Sequence, residues 1–532
     1  MTEPTATSSS PAPSAAPIAA PSPAHRRAYA NYVLGVLVVV YVFNFVDRQI
    51  ISILAEDIKR DLNIGDGELG FLYGTAFGVF YALFGIPLGR LADNWNRVRL
   101  MTIGLSLWSA MTAFSGLSKN LGQLAVARMG VGIGEATASP SAYSLISDYF
   151  PKEKRASALA IYSSGLYIGG GISLFIGGLI VERWNAAYPG GGPLGLVGWQ
   201  AAFMAVGLPG LLLAGLVATL REPIRGSADG IVTQTSVNPF TDFLGELLTI
   251  IPPLTLIGAT RRGGRALAIN LAFTALVATI AYTLIRITGA VPQWIAIGIG
   301  VYAVFSWASA LKGRDLPTFT LIWRNPAFLC VAIAYGLIAF NAYAQSFWSA
   351  PYAMRVLGET KSVAGFWVGS SGALSGFLGV IIGGQIADAW RKRHPSGRLL
   401  VILIGATGPV IPTILGFTTT STTMFYIWNF IAGVLASSAL GAAAATTQDL
   451  VLPRMRGTAT ATFFLATTLI GLALGPYLAG AISTATGSLA TGVMALLAAA
   501  PISVVLIWVA WSRVPVAEAT MLERARAAGE PV

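Results

Sequence analysis

The chain has 532 residues, 55% of them hydrophobic and 11% charged, with a mean hydropathy of +0.68. That balance excludes an ordinary soluble domain and points to a polytopic, all-α membrane protein, because apolar runs of about 20 residues recur along it. The net charge of +11 could suggest nucleic acid, but 25 of the 34 Lys and Arg fall on alternate loops and the tails; this is the positive-inside pattern, and no nucleic-acid partner is expected.

Residues 1–28 are rich in Ala, Pro, Ser and Thr and are expected to form a disordered cytoplasmic tail. No basic region precedes a short apolar core with a cleavage site, so no removable signal peptide is expected. Six spans follow within residues 29–222: Tyr29–Ala55, Leu69–Ala92, Leu100–Leu117, Leu121–Ile146, Ala156–Val181 and Trp199–Leu220. A linker over 223–324 carries an amphipathic stretch near Phe240–Ile257 and two further apolar runs, Ala266–Ile285 and Val291–Leu311. Those two runs contain no acid and are expected to pack outside the main bundle. Six more spans fill residues 325–512: Pro326–Met354, Val363–Trp390, Leu399–Phe417, Thr423–Val451, Thr458–Thr486 and Leu489–Trp511. Residues 513–532 form a second cytoplasmic tail. The count is fourteen transmembrane helices, with both termini in the cytoplasm and the protein in a bacterial cytoplasmic membrane.

The chain repeats itself. Gly89-Arg-Leu-Ala-Asp93-Asn-Trp95-Asn-Arg97 ends the second span, and Gly384-Gln-Ile-Ala-Asp388-Ala-Trp390-Arg-Lys392 ends its counterpart, 295 residues on. Asp148 and Arg155 recur as Asp449 and Arg456 at an offset of 301, and Phe43-Asn44 recurs as Phe340-Asn341 at 297. Three matches at nearly one offset mark two six-helix halves in parallel repeat, with a substrate site between them near mid-membrane. Gly89, Asp93, Arg97, Asp148 and Arg155, with Asp388, Lys392, Asp449 and Arg456, are the expected cytoplasmic gate.

Ionisable groups at membrane depth are functional candidates. They are Asp47 and Arg48 on the first span and Arg128 and Glu135 on the fourth. Arg128 and Glu135 are two turns apart, about 10.5 Å along the axis, so neither satisfies the other directly. Asp47 and Arg128 lie at nearly equal depth, which suggests an Asp47–Arg128 pair. Arg48 points about 100° away from Asp47 and needs another acid, a backbone group or an anionic ligand. By the offsets, the second half has Ala344, Asn429 and Ala436 where the first has Asp47, Arg128 and Glu135. Charge is therefore confined to one half. The other half offers Asn341, Tyr343, Gln345, Trp348, Trp367 and Asn429 as an aromatic and amide lining, and Asn44 joins Arg48 on the first-half side.

The Gly-x-x-x-Asp-x-x-x-Arg loop after the second span resembles the signature of the major facilitator superfamily, although Asn94 and Asn96 replace its usual Asp-following base and Gly. Asn44-Phe-Val-Asp47-Arg48 and the ARMGVGIGEA…PSAYSLISDYFP…R stretch from Ala127 to Arg155 resemble the spinster family within it. The resemblance implies a major facilitator fold of two six-helix halves, here with an inserted two-helix hairpin like that of proton-coupled peptide transporters in position. It also implies a transporter of sphingolipids or lysolipids.

Both histidines, His25 and His394, lie outside the spans, so a proton relay must use carboxylates. Glu135 is the expected proton carrier, with Asp47 and Arg128 as its modulators. The single Cys330 allows no disulfide framework. The sequence shows no nucleophile triad, metal-ligand cluster or phosphate loop, so no enzyme and no cofactor beyond the coupling proton is expected. The expected function is secondary transport by alternating access, by a monomer among membrane lipids, of an amphipathic or anionic substrate. A carrier of small organic anions and a non-concentrative lipid scramblase stay open as alternatives.

Overall fold

The computed structural model describes residues 23–226 and 238–531, and those residues form helices joined by short connections. Most of the tail expected to be disordered lies outside the described residues. The first helix, α1, runs Pro23–Leu62, starting before and ending after its apolar core. Nothing in its flanks breaks a helix until Asn63, which adopts a left-handed φ of 51°. α2 spans Asp66–Asn94 with a π-helical turn at Phe71–Thr75. α3 is Arg97–Ser115, opened by the Asn96 side chain capping the Arg99 N–H.

The fourth span is not one helix. α4 covers Leu121–Glu135 and α5 covers Ala138–Tyr149. The continuous Leu121–Ile146 helix expected from hydropathy is interrupted at Ala136 and Thr137. Pro140 explains the break: it has no N–H to give the carbonyl of Ala136, and its ring crowds that carbonyl. Glu135 thus sits at the last turn before a discontinuity.

α6 (Lys152–Ala187) and α7 (Gly198–Ala218) complete the first half. In the linker, α8 (Pro239–Ile250) and α9 (Leu254–Arg261) replace the single expected amphipathic stretch and meet at a 98° bend. The inserted hairpin is α10 (Gly264–Thr288) and α11 (Val291–Arg314). The second half is α12 (Pro326–Arg355), α13 (Lys361–Arg391), α14 (Arg398–Thr418), α15 (Thr422–Asp449), α16 (Pro453–Thr486) and α17 (Leu489–Ala519). Twelve of the described helices are long and apolar enough to cross a membrane, the hairpin pair among them. α3 and the broken α4–α5 take the two remaining places in the sequence order.

The halves meet along two seams, α6 against α13 and α2 against α16. Both are made close by glycine. A Cβ on Gly369 would stand 2.3 Å from the Gly171 carbonyl oxygen, and one on Gly74 would stand 2.2 Å from that of Leu472.

The hairpin departs from expectation in one helix. α10 is largely exposed, as a peripheral helix should be, but α11 is wedged into the α2–α16 seam. Val79, Ala82 and Leu83 of α2, Ala303 and Trp307 of α11, and Leu465 and Ala473 of α16 share one buried apolar cluster. The apolar reading of these runs passed over Gln293, which is 1% exposed.

Side-chain contacts show which ends share a face. The Tyr29 hydroxyl accepts from the Arg221 N–H, Arg225 donates to Ala92 O, and Arg454 bonds both Asp315 and Glu530. The start of α1, the linker ends and the C-terminal segment therefore lie on one terminal face. Arg355, Glu56, Asp57, Asp66 and Lys361 gather on the opposite face.

Candidate functional site

The four ionisable residues expected at depth come together inside the first half. Asp47 is 1% exposed, Arg128 0%, Glu135 1% and Arg48 8%. Their pairing differs from the expectation. Nη2 of Arg48 donates to Oε2 of Glu135 at 2.8 Å. Arg128 reaches Asp47 but bonds its backbone carbonyl, at 3.2 Å, and makes no ion pair with its carboxylate. The depth argument holds, since Arg128 stands level with Asp47. The direction around α1 was the unreadable part: α1 turns Arg48, not Asp47, toward α4. Asn44, 2% exposed, stands beside Glu135.

The cluster is under-satisfied. Among the described residues, Oδ1 of Asp47, Nε and Nη2 of Arg128, Nε of Arg48 and Oε1 of Glu135 have no hydrogen-bond partner. Buried charge without full hydrogen bonding is costly, and natural cores rarely carry this much of it without a use.

Aromatic rings compensate in part. The Arg48 guanidinium lies 4.8 Å from the centroid of Phe45, 4.6 Å from Phe77 and 4.9 Å from Tyr81. Arg128 lies 5.3 Å from Phe77, so that one ring serves both cations. Sequence reasoning missed this collar. Its only signal was the Phe77–Tyr81 spacing of four on α2, next to a helix carrying an arginine.

The second half mirrors the site with amides. Nε2 of Gln345 donates to Oδ1 of Asn429 at 2.9 Å, and the Ser349 hydroxyl donates to the same oxygen at 2.9 Å. Gln345 stands where Arg48 stands in the repeat, and Asn429 where Arg128 stands. Tyr343 comes within electrostatic reach of Arg48 across the halves. The Asn341 side chain donates to Leu337 O at 3.3 Å, and its own oxygen has no partner among the described residues.

Two expected lining residues lie elsewhere. Trp348 is 0% exposed and donates to Pro476 O at 2.9 Å, packing inside the second half. Trp367 is 50% exposed and stacks on Tyr426 with centroids 5.9 Å apart. It lies about 200° around α13 from Gly365, which contacts Leu174 of the other half. It therefore faces away from the seam between the halves.

At the terminal face the expected gate residues form ties within each half. Arg97 is 0% exposed and bonds Asp148, Glu222 at 2.7 Å and the Ser144 hydroxyl at 2.7 Å. Arg398 bonds Asp449 and, at 3.4 Å, Asp388. Arg97 pairs with Asp148 as Arg398 pairs with Asp449, each residue shifted by 301. Arg398, not Lys392, is therefore the counterpart of Arg97, because the loop after Asp388 is longer. Asp93, Lys392 and Arg456 are exposed, and Arg155 donates to Ser147 O at 2.8 Å. Gly89 lies against Pro140 of α5.

The ties between halves are on the opposite face. Arg355 bonds Glu56 at 2.7 Å and Asp66 at 2.7 Å, Lys361 bonds Asp57 at 2.7 Å, and the Ser483 hydroxyl donates to Asp66 at 2.7 Å. No ion pair joins the two halves at the terminal face among the described residues. The opposite face is closed in this conformation. The sequence carries no signal for this clasp, since its partners are about 300 residues apart and belong to no motif.

Residues 37–407 match the sequence model of the Major Facilitator Superfamily. An MFS-type efflux pump of Mycolicibacterium smegmatis is 26% identical over 475 residues, 89% of each chain. Protein spinster homolog 1 of Xenopus laevis is 25% identical over 476 residues, 86% of this chain and 74% of that one. Among solved structures, a bacterial homolog of the human lysosomal transporter Spinster, inward-facing and occupied, is similar with a TM-score of 0.66 at 26% identity, covering 93% of this chain and 98% of that one. A peptide transporter in complex with sulfate shares the fold alone, with a TM-score of 0.63 at 13% identity over 92% of this chain and 95% of that one.

Proposed function

The chain belongs to the Major Facilitator Superfamily as a spinster-like transporter, and from that footing we propose a proton-coupled secondary carrier of lipid-like amphiphiles, of lysolipid or sphingolipid kind, that works by alternating access. The observation that carries the coupling is the buried Arg48–Glu135 ion pair. When Glu135 takes a proton, Arg48 keeps its aromatic collar but loses its ionic partner. An anionic headgroup can then take the guanidinium, so proton and headgroup are linked through one side chain. Asp47, buried without a cation on its carboxylate, is the second acid able to hold a proton, and Arg128 fixes its backbone.

The amide set opposite, Gln345, Asn429, Asn341 and Tyr343 with Asn44, supplies neutral donors and acceptors for the polar part of the substrate. The lipid class rests on the resemblance of the Asn44–Arg48 and Ala127–Arg155 stretches to the spinster family. The two arginines also favour a second reading, a carrier of small organic anions. The terminal face carries the Lys and Arg excess and is assigned to the cytoplasm of a bacterial cell. In the opposite conformation the gate residues Asp93, Asp148, Arg155, Asp388, Lys392, Asp449 and Arg456 close that face while the Arg355 clasp opens.

The test is reconstitution of the purified protein, as a monomer, in liposomes under an imposed pH step. Concentrative uptake of a lysophospholipid supports the proposal. Uptake of small organic anions alone moves the substrate class to the second reading. Lipid equilibration that ignores the gradient overturns coupled transport.

A further inference from the structure

Gln293 sits where the two halves and the hairpin meet. The Thr75 hydroxyl of α2 lies 2.6 Å from the Ala473 carbonyl of α16 and 2.7 Å from the Gln293 side-chain oxygen, while Nε2 of Gln293 lies 3.5 Å from the same carbonyl. A hydroxyl has one proton to give. Both short contacts carry a proton when the Gln293 amide faces Thr75 with its NH2 and Thr75 donates to Ala473, an exchange of amide atoms that leaves the shape unchanged. All three positions are shut off from solvent: Thr75 and Ala473 are 0% exposed and Gln293 1%.

The backbone is irregular on both sides of the knot. Thr75 closes the π-helical turn of α2, and Ala473 follows the π-helical turn Thr467–Leu472 of α16. Pro476 has no N–H for the Leu472 carbonyl, so α16 is loosened there. Such turns are where helices give. α11 touches both halves again two turns further on, where a Cβ on Gly300 would lie 3.0 Å from Leu469 and 3.5 Å from Val79. At its terminal-face end, Arg314 bonds Glu246 at 2.6 Å and the next residue, Asp315, bonds Arg454 at 2.8 Å.

We infer that Gln293 is a positioning residue for transport: by donating to Thr75 it turns the hydroxyl proton onto Ala473, which latches α2 to α16 and holds the opposite face closed. The inference rests on the alternating-access reading. To open that face, α2 and α16 must part at Gly70 and Pro476, where a Cβ on Gly70 would now stand 2.3 Å from the Pro476 carbonyl oxygen. Thr75 and Ala473 lie next along the same seam, so the knot must open with it. A contact present in one state and absent in the other shifts the balance between them by its own strength. The inserted hairpin is then a third party that tunes the resting conformation of a two-halved carrier.

The test uses full-length protein in nanodiscs, with Cys330→Ala and spin labels on cysteines at the exposed Ala186 and Ala485, one at the opposite-face end of each half. Pulsed electron–electron resonance reads the ratio of long to short separations. Gln293→Leu and the isosteric Thr75→Val should each raise that ratio about fivefold, as expected for one net hydrogen bond. Arg355→Ala, which cuts the ionic clasp, is the control. An unchanged ratio in both knot variants, with Arg355→Ala raising it, overturns the latch; a lower melting temperature alone would then mark the knot as merely structural. No change in any variant overturns the rocking motion itself, and the latch with it.

Discussion

Arg48 of α1 and Glu135 of α4 are 87 residues apart in sequence and 2.8 Å apart in space, with side chains 10% and 0% exposed. Removing one partner leaves the other charge buried and alone. Arg48→Met should therefore destabilise the protein by about 3–5 kcal/mol, and the double variant Arg48→Met/Glu135→Leu should recover most of the loss. Thermal unfolding in one detergent checks this. Losses that simply add would show that the two charges are not coupled.

The terminal-face residues separate by burial. Arg97 is enclosed by Asp148, Glu222 and Ser144, whereas Asp93 is exposed. Arg97→Ala should cost about 3–5 kcal/mol, because it strands two carboxylates. Asp93→Ala should stay within about 0.5 kcal/mol. Equal effects on melting temperature would contradict the assignment of Arg97 as the central tie.

The clasp can be opened from outside. Arg355→Ala removes bonds to both Glu56 and Asp66. In a Cys330→Ala background, a cysteine at Ala350, now 0% exposed, should then react severalfold faster with a membrane-impermeant thiol reagent. High salt should act in the same direction, since the Arg355 and Glu56 side chains are partly exposed. An unchanged labelling rate would show that packing, not charge, closes this face.

Much of this was legible in the sequence, and the failures have common causes. Hydropathy placed the helices, and the repeat of Asp148 and Arg155 as Asp449 and Arg456 marked the two halves. Rarity of charge at depth singled out Asp47, Arg48, Arg128 and Glu135. Depth is readable because helical rise is fixed, but direction around an axis depends on which helix lies beside it. That is why Glu135 pairs with Arg48 and why Arg128 meets only the backbone of Asp47. Trp348 and Trp367 failed as lining residues for the same reason. Pro140 was visible, and its consequence for the fourth span follows from elementary backbone chemistry. Gln293 was hidden by averaging, since one amide barely changes the hydropathy of an apolar run.

One ionic tie should be insensitive to pH where transport operates. Burial opposes ionisation of Asp315, but hydrogen bonds from Arg454 and Thr318 outweigh it and hold its carboxyl at about 2. An unfolded Asp titrates near about 3.9. The folded value is the lower, so the tie contributes its full stability above about pH 4 and loses it as the pH falls toward 2. Asp315→Asn should lower the melting temperature by a constant amount between pH 5 and 8, and the gap to wild type should narrow only in stronger acid. A gap that changes between pH 5 and 8 would place another titrating group at this contact.

In the proposed mechanism Glu135 carries the coupling proton and Arg48 answers to it. Glu135→Gln holds the side chain in its neutral shape. In liposomes under a pH gradient, this variant should bind a fluorescent lysophospholipid as wild type does, yet lose gradient-driven accumulation. Accumulation at the wild-type rate in Glu135→Gln would contradict the claim and leave Asp47 as the acid to test.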